Sequence, residues 1–552
     1  MTLSLDGQAG ADAREQHTTI TATELRALLE AHADVVLADV SEGDAYTGGH
    51  ISVAVPLPAS EVELRLPTLA PRRTVPVVFT SAVDDGLAHQ AAGLAGAIGY
   101  TDVRVLDGGN PAWVSAGYHL ITNFSALSKA LGEYVERRYG TPRLTAEALK
   151  AKIDAGEDIV ILDSRPFDEY QAISIPGGID APGPELLYRA FDQVSRPTTQ
   201  VIVNCAGRTR AIIGAQTLIN AGFPNPVVSL ENGTTAWLLA GYEPGRGDDT
   251  VAAVPSDTNR ARAAAAALDV ARRFGVREIT REELDDVKAT AEDRSLYLFD
   301  VRTPEEYVAG HLDGFRPVPG GQLVQKTDFH IGSRNGRVIL VDDADGVRAR
   351  TTATWLIQLG LPDVTVYLLD ADDQLVTGGQ IVVPSSAESA APTVGVEELA
   401  DLLDGSEPLP LVVDLEPASP YVHVRHHIPG SVVARRSSLH RTLSSVASDT
   451  AIVFTSSDGR LARLAAAQHA THRPVRALAG GTDAWRASGR PVETGSGQDA
   501  LDPAERIPEP LTLEKRRANL DWYVAWGDNI VAELERDGLV SFVDAIDDSA
   551  AS

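Results

Sequence analysis

The chain has one cysteine, Cys205, in 552 residues. A single thiol excludes any intrachain disulfide, so whatever Cys205 does, it does as a free thiol. Basic residues are also short: 48 Lys plus Arg stand against 77 Asp plus Glu, a net charge of −29. That balance argues against a nucleic acid or an anionic membrane as partner. No apolar run reaches membrane-spanning length. The first thirty residues lack the basic stretch and apolar core of a secretory signal. These absences point to the cytoplasm, where a reducing environment suits a working thiol. What remains is ordinary globular composition, 43% hydrophobic and 23% charged. At this length a single core is exceeded, and about three to five domains are expected.

The chain repeats itself. Four apolar runs each end in an aspartate: Val35-Val36-Leu37-Ala38-Asp39, Ile159-Val160-Ile161-Leu162-Asp163, Leu296-Tyr297-Leu298-Phe299-Asp300 and Leu411-Val412-Val413-Asp414. In each case a second β-prone run leads 42 residues later to a loop, at Ser81, Cys205, Asp342 and Ser456. A period above 100 residues means tandem whole domains and not a solenoid. The punctuation between the runs repeats too: Asp44-Ala45-Tyr46 with Gly49-His50-Ile51, Asp168-Glu169-Tyr170 with Ile175-Pro176-Gly177, Glu305-Glu306-Tyr307 with Gly310-His311-Leu312, and Tyr421 with His427-Ile428-Pro429-Gly430. Three units close on Gly-to-Trp segments ending at Trp113, Trp237 and Trp485, and the third lacks this ending. Short buried strands alternating with helices predict an α/β fold with a parallel sheet flanked by helices in each unit. Recurring at one position, His50, His311 and His427 read as packing or hydrogen-bonding groups and not as metal ligands; no metal or cofactor is expected.

The spacing places units at 18–121, 143–245, 276–383 and 393–492. Joining them are an amphipathic linker helix within 122–142, stopped by Gly140 and Pro142, and a linker with a second helix at 246–275. A C-terminal helical extension at 508–540 carries an aromatic face with Trp522 and Trp526. Those aromatics are expected to pack on a unit or on a second copy of the chain, so homo-oligomerisation through the linker or C-terminal helices is one expectation.

The chemistry concentrates in Asn204-Cys205-Ala206-Gly207-Arg208-Thr209-Arg210. A β-prone run enters the loop, and a segment with helical spacing of apolar residues leaves it, so it reads as a strand-to-helix turn. Free N–H groups at the helix start and the helix dipole favour a thiolate or a bound anion there. With Arg208 and Arg210 adding positive charge, Cys205 is expected to be a low-pKa nucleophile.

The strand-end aspartate, the acidic-aromatic turn, the Cys205 loop and the Gly-to-Trp ending together resemble rhodanese domains, the thiosulfate sulfurtransferase family. Four such units span about residues 18 to 492, and the arrangement is similar to multidomain bacterial rhodanese-like sulfurtransferases. The resemblance places Cys205 at the position of the persulfide-forming residue; the other three units keep the scaffold without the nucleophile. It implies attack of Cys205 on the outer sulfur of a donor such as thiosulfate, then transfer to a thiophilic acceptor such as cyanide or a thiol. Ala206, Gly207 and Thr209 would complete the anion cradle, with Arg208 and Arg210 holding the donor. Arg189 would either line the entrance or form a surface salt bridge. Phosphatases of related fold use Cys-x5-Arg; here the spacing is Cys-x4-Arg, a smaller cradle suited to a terminal sulfur. The alternatives are a persulfide carrier or scaffold, and a phosphatase-like enzyme. The loop also lacks the Cys-Gly-Ser/Thr-Gly pattern associated with 3-mercaptopyruvate.

Overall fold

The structure, a computed structural model, describes residues 17–380, 384–405, 408–415, 426–494, 499–505 and 513–545. These residues form four five-stranded sheets with one topology. In unit two the strands lie in the order Arg143–Leu144, Val227–Leu230, Gln200–Asn204, Ile159–Asp163, Gly178–Asp180, all parallel. Val201 to Asn204 are all buried, as strands sandwiched between helix layers must be. The register explains the constant interval. Asp39 pairs with Thr80, Asp163 with Asn204, Asp300 with Val341 and Asp414 with Thr455. The residue after each partner is therefore delivered to the same carboxyl edge, where open α/β sheets place their sites.

The repeated punctuation has a repeated job. The hydroxyls of Tyr46, Tyr170 and Tyr307 donate to carbonyls eight residues on, at Ala54, Gly178 and Phe315. Trp113, Trp237 and Trp485 donate Nε1–H to the carbonyls of His119, Glu243 and Pro491. In both motifs a large side chain fills the core and satisfies a loop carbonyl. His50 and His311 stack on Tyr46 and Tyr307 at 3.9 and 3.6 Å, each with Nδ1 near the tyrosine carbonyl, the packing role expected of them. His427 differs, with Nε2 3.1 Å from Glu493. Tyr421 lies outside the described residues. Unit three lacks the tryptophan ending, and there Tyr367 of the preceding strand donates to Asp373.

The units pair two by two through the segment after the edge strand. In units one and four, Arg436 reaches Glu63 and the Ser60 carbonyl, while Ser437 donates to Glu42. Units two and three meet backbone to backbone: a Cβ on Gly183 would collide with Gly321. Arg348 crosses that seam to Glu185 at 2.9 Å. The linker helix Ala126–Tyr139 ends at Gly140, whose φ of 65° suits a residue without a Cβ. It lies between the Thr209–Asn220 helix of unit two and the C-terminal helix Leu513–Asp537. Trp526 is buried in the apolar cluster beneath that helix, and Trp522, half exposed, stacks on it. No helix among the described residues is long and apolar enough to cross a membrane.

Candidate active site

Cys205 sits at the end of the central strand, and its neighbours fix the loop by hydrogen bonding. Asn204 donates to the buried Asp163, which is also bound by Arg165 at 2.8 and 2.7 Å. Across the loop, the N–H groups of Thr234 and Thr235 take the carbonyls of Cys205 and Ala206. Gly233, at φ 51°, is required there, because a Cβ would run into the Cys205 carbonyl. With those carbonyls held outward, the N–H groups of Gly207 and Ala211 are left to point at the sulfur.

Burial overrules the low-pKa expectation. Cys205 is 2% exposed. Desolvation pushes its thiol up from the ordinary value, and Asp163 adds to the rise. Arg210 and the two N–H groups pull the other way without cancelling it. The loop alone suggested the reverse, since it shows the positive groups but not the dry packing above them.

Each arginine is already held by carboxylates. Arg208 binds Glu133 at 3.0 and 3.1 Å and Glu136 at 2.5 Å, both on the linker helix. Arg210 forms a two-pronged pair with Glu169 at 2.9 and 2.8 Å and is the arginine whose charge steadies the sulfur. Thr209 opens the helix against Gly132 of the linker helix.

A roof from outside unit two closes over the loop, and nothing in the loop sequence signals it. Tyr523 of the C-terminal helix lies 3.6 Å from where a Gly207 Cβ would stand, its hydroxyl beside Thr209. Lys129 of the linker helix places Nζ 3.9 Å over the Tyr523 ring and donates to Glu133. Both charged groups are 3% exposed. A Lys/Glu pair four apart on the packed face of an amphipathic helix was the available signal. Gly527 makes room for the pair, since a Cβ there would press on Lys129 Nζ.

The Rhodanese-like domain family matches residues 21–116, 145–240, 282–371 and 395–488. The chain belongs to the rhodanese family. It is 40% identical to the thiosulfate sulfurtransferase of Pseudomonas aeruginosa, whose crystal structure superposes with a TM-score of 0.84 over 96% of this chain and 100% of that one. The "Putative thiosulfate sulfurtransferase SseB" of Mycobacterium tuberculosis is 30% identical over 207 residues, covering 30% of this chain and 71% of the relative. The "Putative sulfur carrier protein YrkF" of Bacillus subtilis is 29% identical over 134 residues, covering 23% of this chain and 71% of the relative.

The other three rhodanese units fill the equivalent loop differently. Ser81 turns its hydroxyl onto the Val83 carbonyl, and Ser456 accepts a long bond from the Ala462 N–H. Asp342 takes the N–H groups of Arg348 and Ala349 at 2.7 and 2.9 Å. Beside the Cys205 loop, a cleft of about 570 Å³ separates rhodanese units two and three, with Thr209 and Arg210 in its lining. Arg189 lines it and is also salt-bridged, to Glu185 at 2.5 Å.

Proposed function

We propose that this rhodanese-family chain is a sulfurtransferase that carries sulfane sulfur through a Cys205 persulfide. The donor is an anion such as thiosulfate, and the acceptor is a thiophile such as cyanide or a thiol. The observation that carries the reading is the sole cysteine at the carboxyl end of a central parallel strand, with two N–H groups aimed at its sulfur and Arg210 beside it. In the first step Cys205 thiolate attacks the outer sulfur of thiosulfate. The bond to the sulfonate sulfur breaks, and sulfite leaves with the electron pair. The acceptor then attacks the outer persulfide sulfur and returns Cys205 as thiolate. Ala206, Gly207, Arg208, Thr209 and Arg210 form the cradle, with Arg208 anchoring it to the linker helix through Glu133 and Glu136. The proposed partners are thus small molecules, in a reducing compartment such as the cytoplasm.

A carrier role is the second reading, supported by the likeness to a protein named as a sulfur carrier. Burial of Cys205 favours the enzyme, because a carrier must present its sulfur to another protein. Intact mass measurement after incubation with thiosulfate should find one added sulfur, located on the Cys205 peptide. Steady thiocyanate release from cyanide by the isolated chain separates enzyme from carrier; persulfide formation without turnover would support the carrier.

A further inference from the structure

Units one and three also meet, and between them lies a cavity of about 710 Å³ to which the Cys205 loop contributes no lining. Its volume is in the range of clefts that enclose organic molecules. Leu29 and Leu37 of unit one form one wall and Ile357 and Val364 of unit three another, with Phe274 at the end of the linker helix Asp257–Arg273. The tail that follows the C-terminal helix closes a third side. These walls are held by close backbone approach: a Cβ on Gly332 would run into the Leu69 carbonyl of unit one, and a Cβ on Gly360 into the Ser541 carbonyl of the tail. Asp537 ties the start of the tail to Arg26 of unit one at 3.1 Å, and Val543 N–H donates to the Gln358 carbonyl at 3.0 Å.

The charges in the lining are unevenly matched. Arg277, Asp363 and Asp544 are paired with Glu283, Arg294 and Arg138. Arg334 lines the cavity too, and its guanidinium forms no ion pair among the described residues. One N–H, on Nη2, caps the helix Val347–Gln358 through the Leu359 carbonyl at 2.7 Å, and a guanidinium has about five such donors. The side chain is partly exposed, so the others are reachable from the cavity. Burial pushes the pKa of Arg334 down to about 10, and the attraction of Asp328 offsets only part of that. A desolvated cation without a counter-charge is unfavourable until an anion pairs with it.

We propose that the cavity binds an organic monocarboxylate with an aliphatic body, its carboxylate on Arg334 and its chain along the Leu29, Leu37, Ile357 and Val364 walls. One guanidinium matches one negative charge and can grip a carboxylate with two parallel bonds. Asp363 and Asp544 in the same lining disfavour a dianion such as a phosphate monoester. The site stands apart from the sulfurtransferase reading and needs no turnover to be tested.

Decanoate, which has both parts, acetate, which lacks the chain, and decanol, which lacks the charge, are the probes. Calorimetry on the full chain should find decanoate bound about tenfold or more tighter than either of the others, and Arg334→Met should remove its advantage over decanol. Because Arg334 also caps a helix, the unaltered chain supplies a second measurement. Decanoate carrying a photoreactive diazirine on its chain should label residues within 29–37 and 357–364, and excess decanoate should suppress the label. Acetate or decanol binding as tightly as decanoate, a folded Arg334→Met chain that binds decanoate unchanged, or label confined to other segments would overturn the proposal.

Discussion

The loops at Cys205 and Asp342 end equivalent strands in equivalent sheets, yet their N–H groups serve opposite ends. In unit two the N–H groups of Gly207 and Ala211 face a thiol. In unit three Asp342 supplies its own anion, accepting from Arg348 and Ala349 and pairing with the Arg348 side chain at 3.0 Å. A carboxylate that fills the cradle leaves no place for a donor anion. The surrounding charge differs as well. Around Arg348 and Arg302 stand Glu185, Glu306, Asp343 and Asp300, whereas Arg210 and Arg165 are matched one to one by Glu169 and Asp163. A rhodanese scaffold can therefore persist with the loop at its strand end filled by one acidic side chain and its escort.

The largest expected effect is on the Cys205 side of this comparison. Cys205→Ser should abolish sulfur transfer while leaving the unfolding temperature within a few degrees, because Ser is close in size but cannot hold a persulfide. Turnover by a folded Cys205→Ser chain would end the mechanism. Transplanting the nucleophile probes the other side: Asp342→Cys in the Cys205→Ser background should restore no measurable thiosulfate turnover. Arg348 keeps Glu185, Glu306 and Asp343 as partners, so the fold survives while the acidic excess repels a dianion. Ser81→Cys should behave likewise, and Ser456→Cys should give at most a trace, Arg460 being held by Glu388. Wild-type-like rates from any of these would show that the escort charges do not matter.

A third effect follows from burial of the thiol. Since its pKa is held above the ordinary value, the thiolate fraction is small at neutral pH and grows as pH rises. Single-turnover persulfide formation from thiosulfate should increase about tenfold per unit between pH 6 and 8; a flat profile would mean that the thiol is already ionised. Arg210→Ala should raise KM for thiosulfate by about tenfold or more, well beyond Thr209→Ala, because a charge-assisted contact contributes about 1.5–3 kcal/mol against about 1 for a neutral one. Pairing it with Glu169→Gln separates the lost cation from the carboxylate left behind, and equal effects of Arg210→Ala and Thr209→Ala would place the donor elsewhere. The smallest effect belongs to the roof: Tyr523→Ala should speed alkylation of Cys205 by iodoacetamide a few-fold. An unchanged rate would show that the C-terminal helix does not limit access.

Much of this was readable from the chain. Apolar runs ending in aspartate and the Tyr and Trp punctuation are local patterns, the interval to the next loop is constant, and the parallel register turns them directly into four like sheets. The strand-to-helix turn at Cys205 and the stop at Gly140 are equally local. The partners of the arginines are not. Glu133 and Glu136 meet Arg208 from 75 and 72 residues away, and Tyr523 arrives over Gly207 from the far end of the chain. Local sequence placed positive charge beside Cys205, but only packing decided that each cation is matched, that the thiol is dry enough to hold its proton, and that unit three faces unit two across a cleft. Desolvation and charge pairing depend on what is folded over a group, and that is set by contacts with no fixed spacing in the chain.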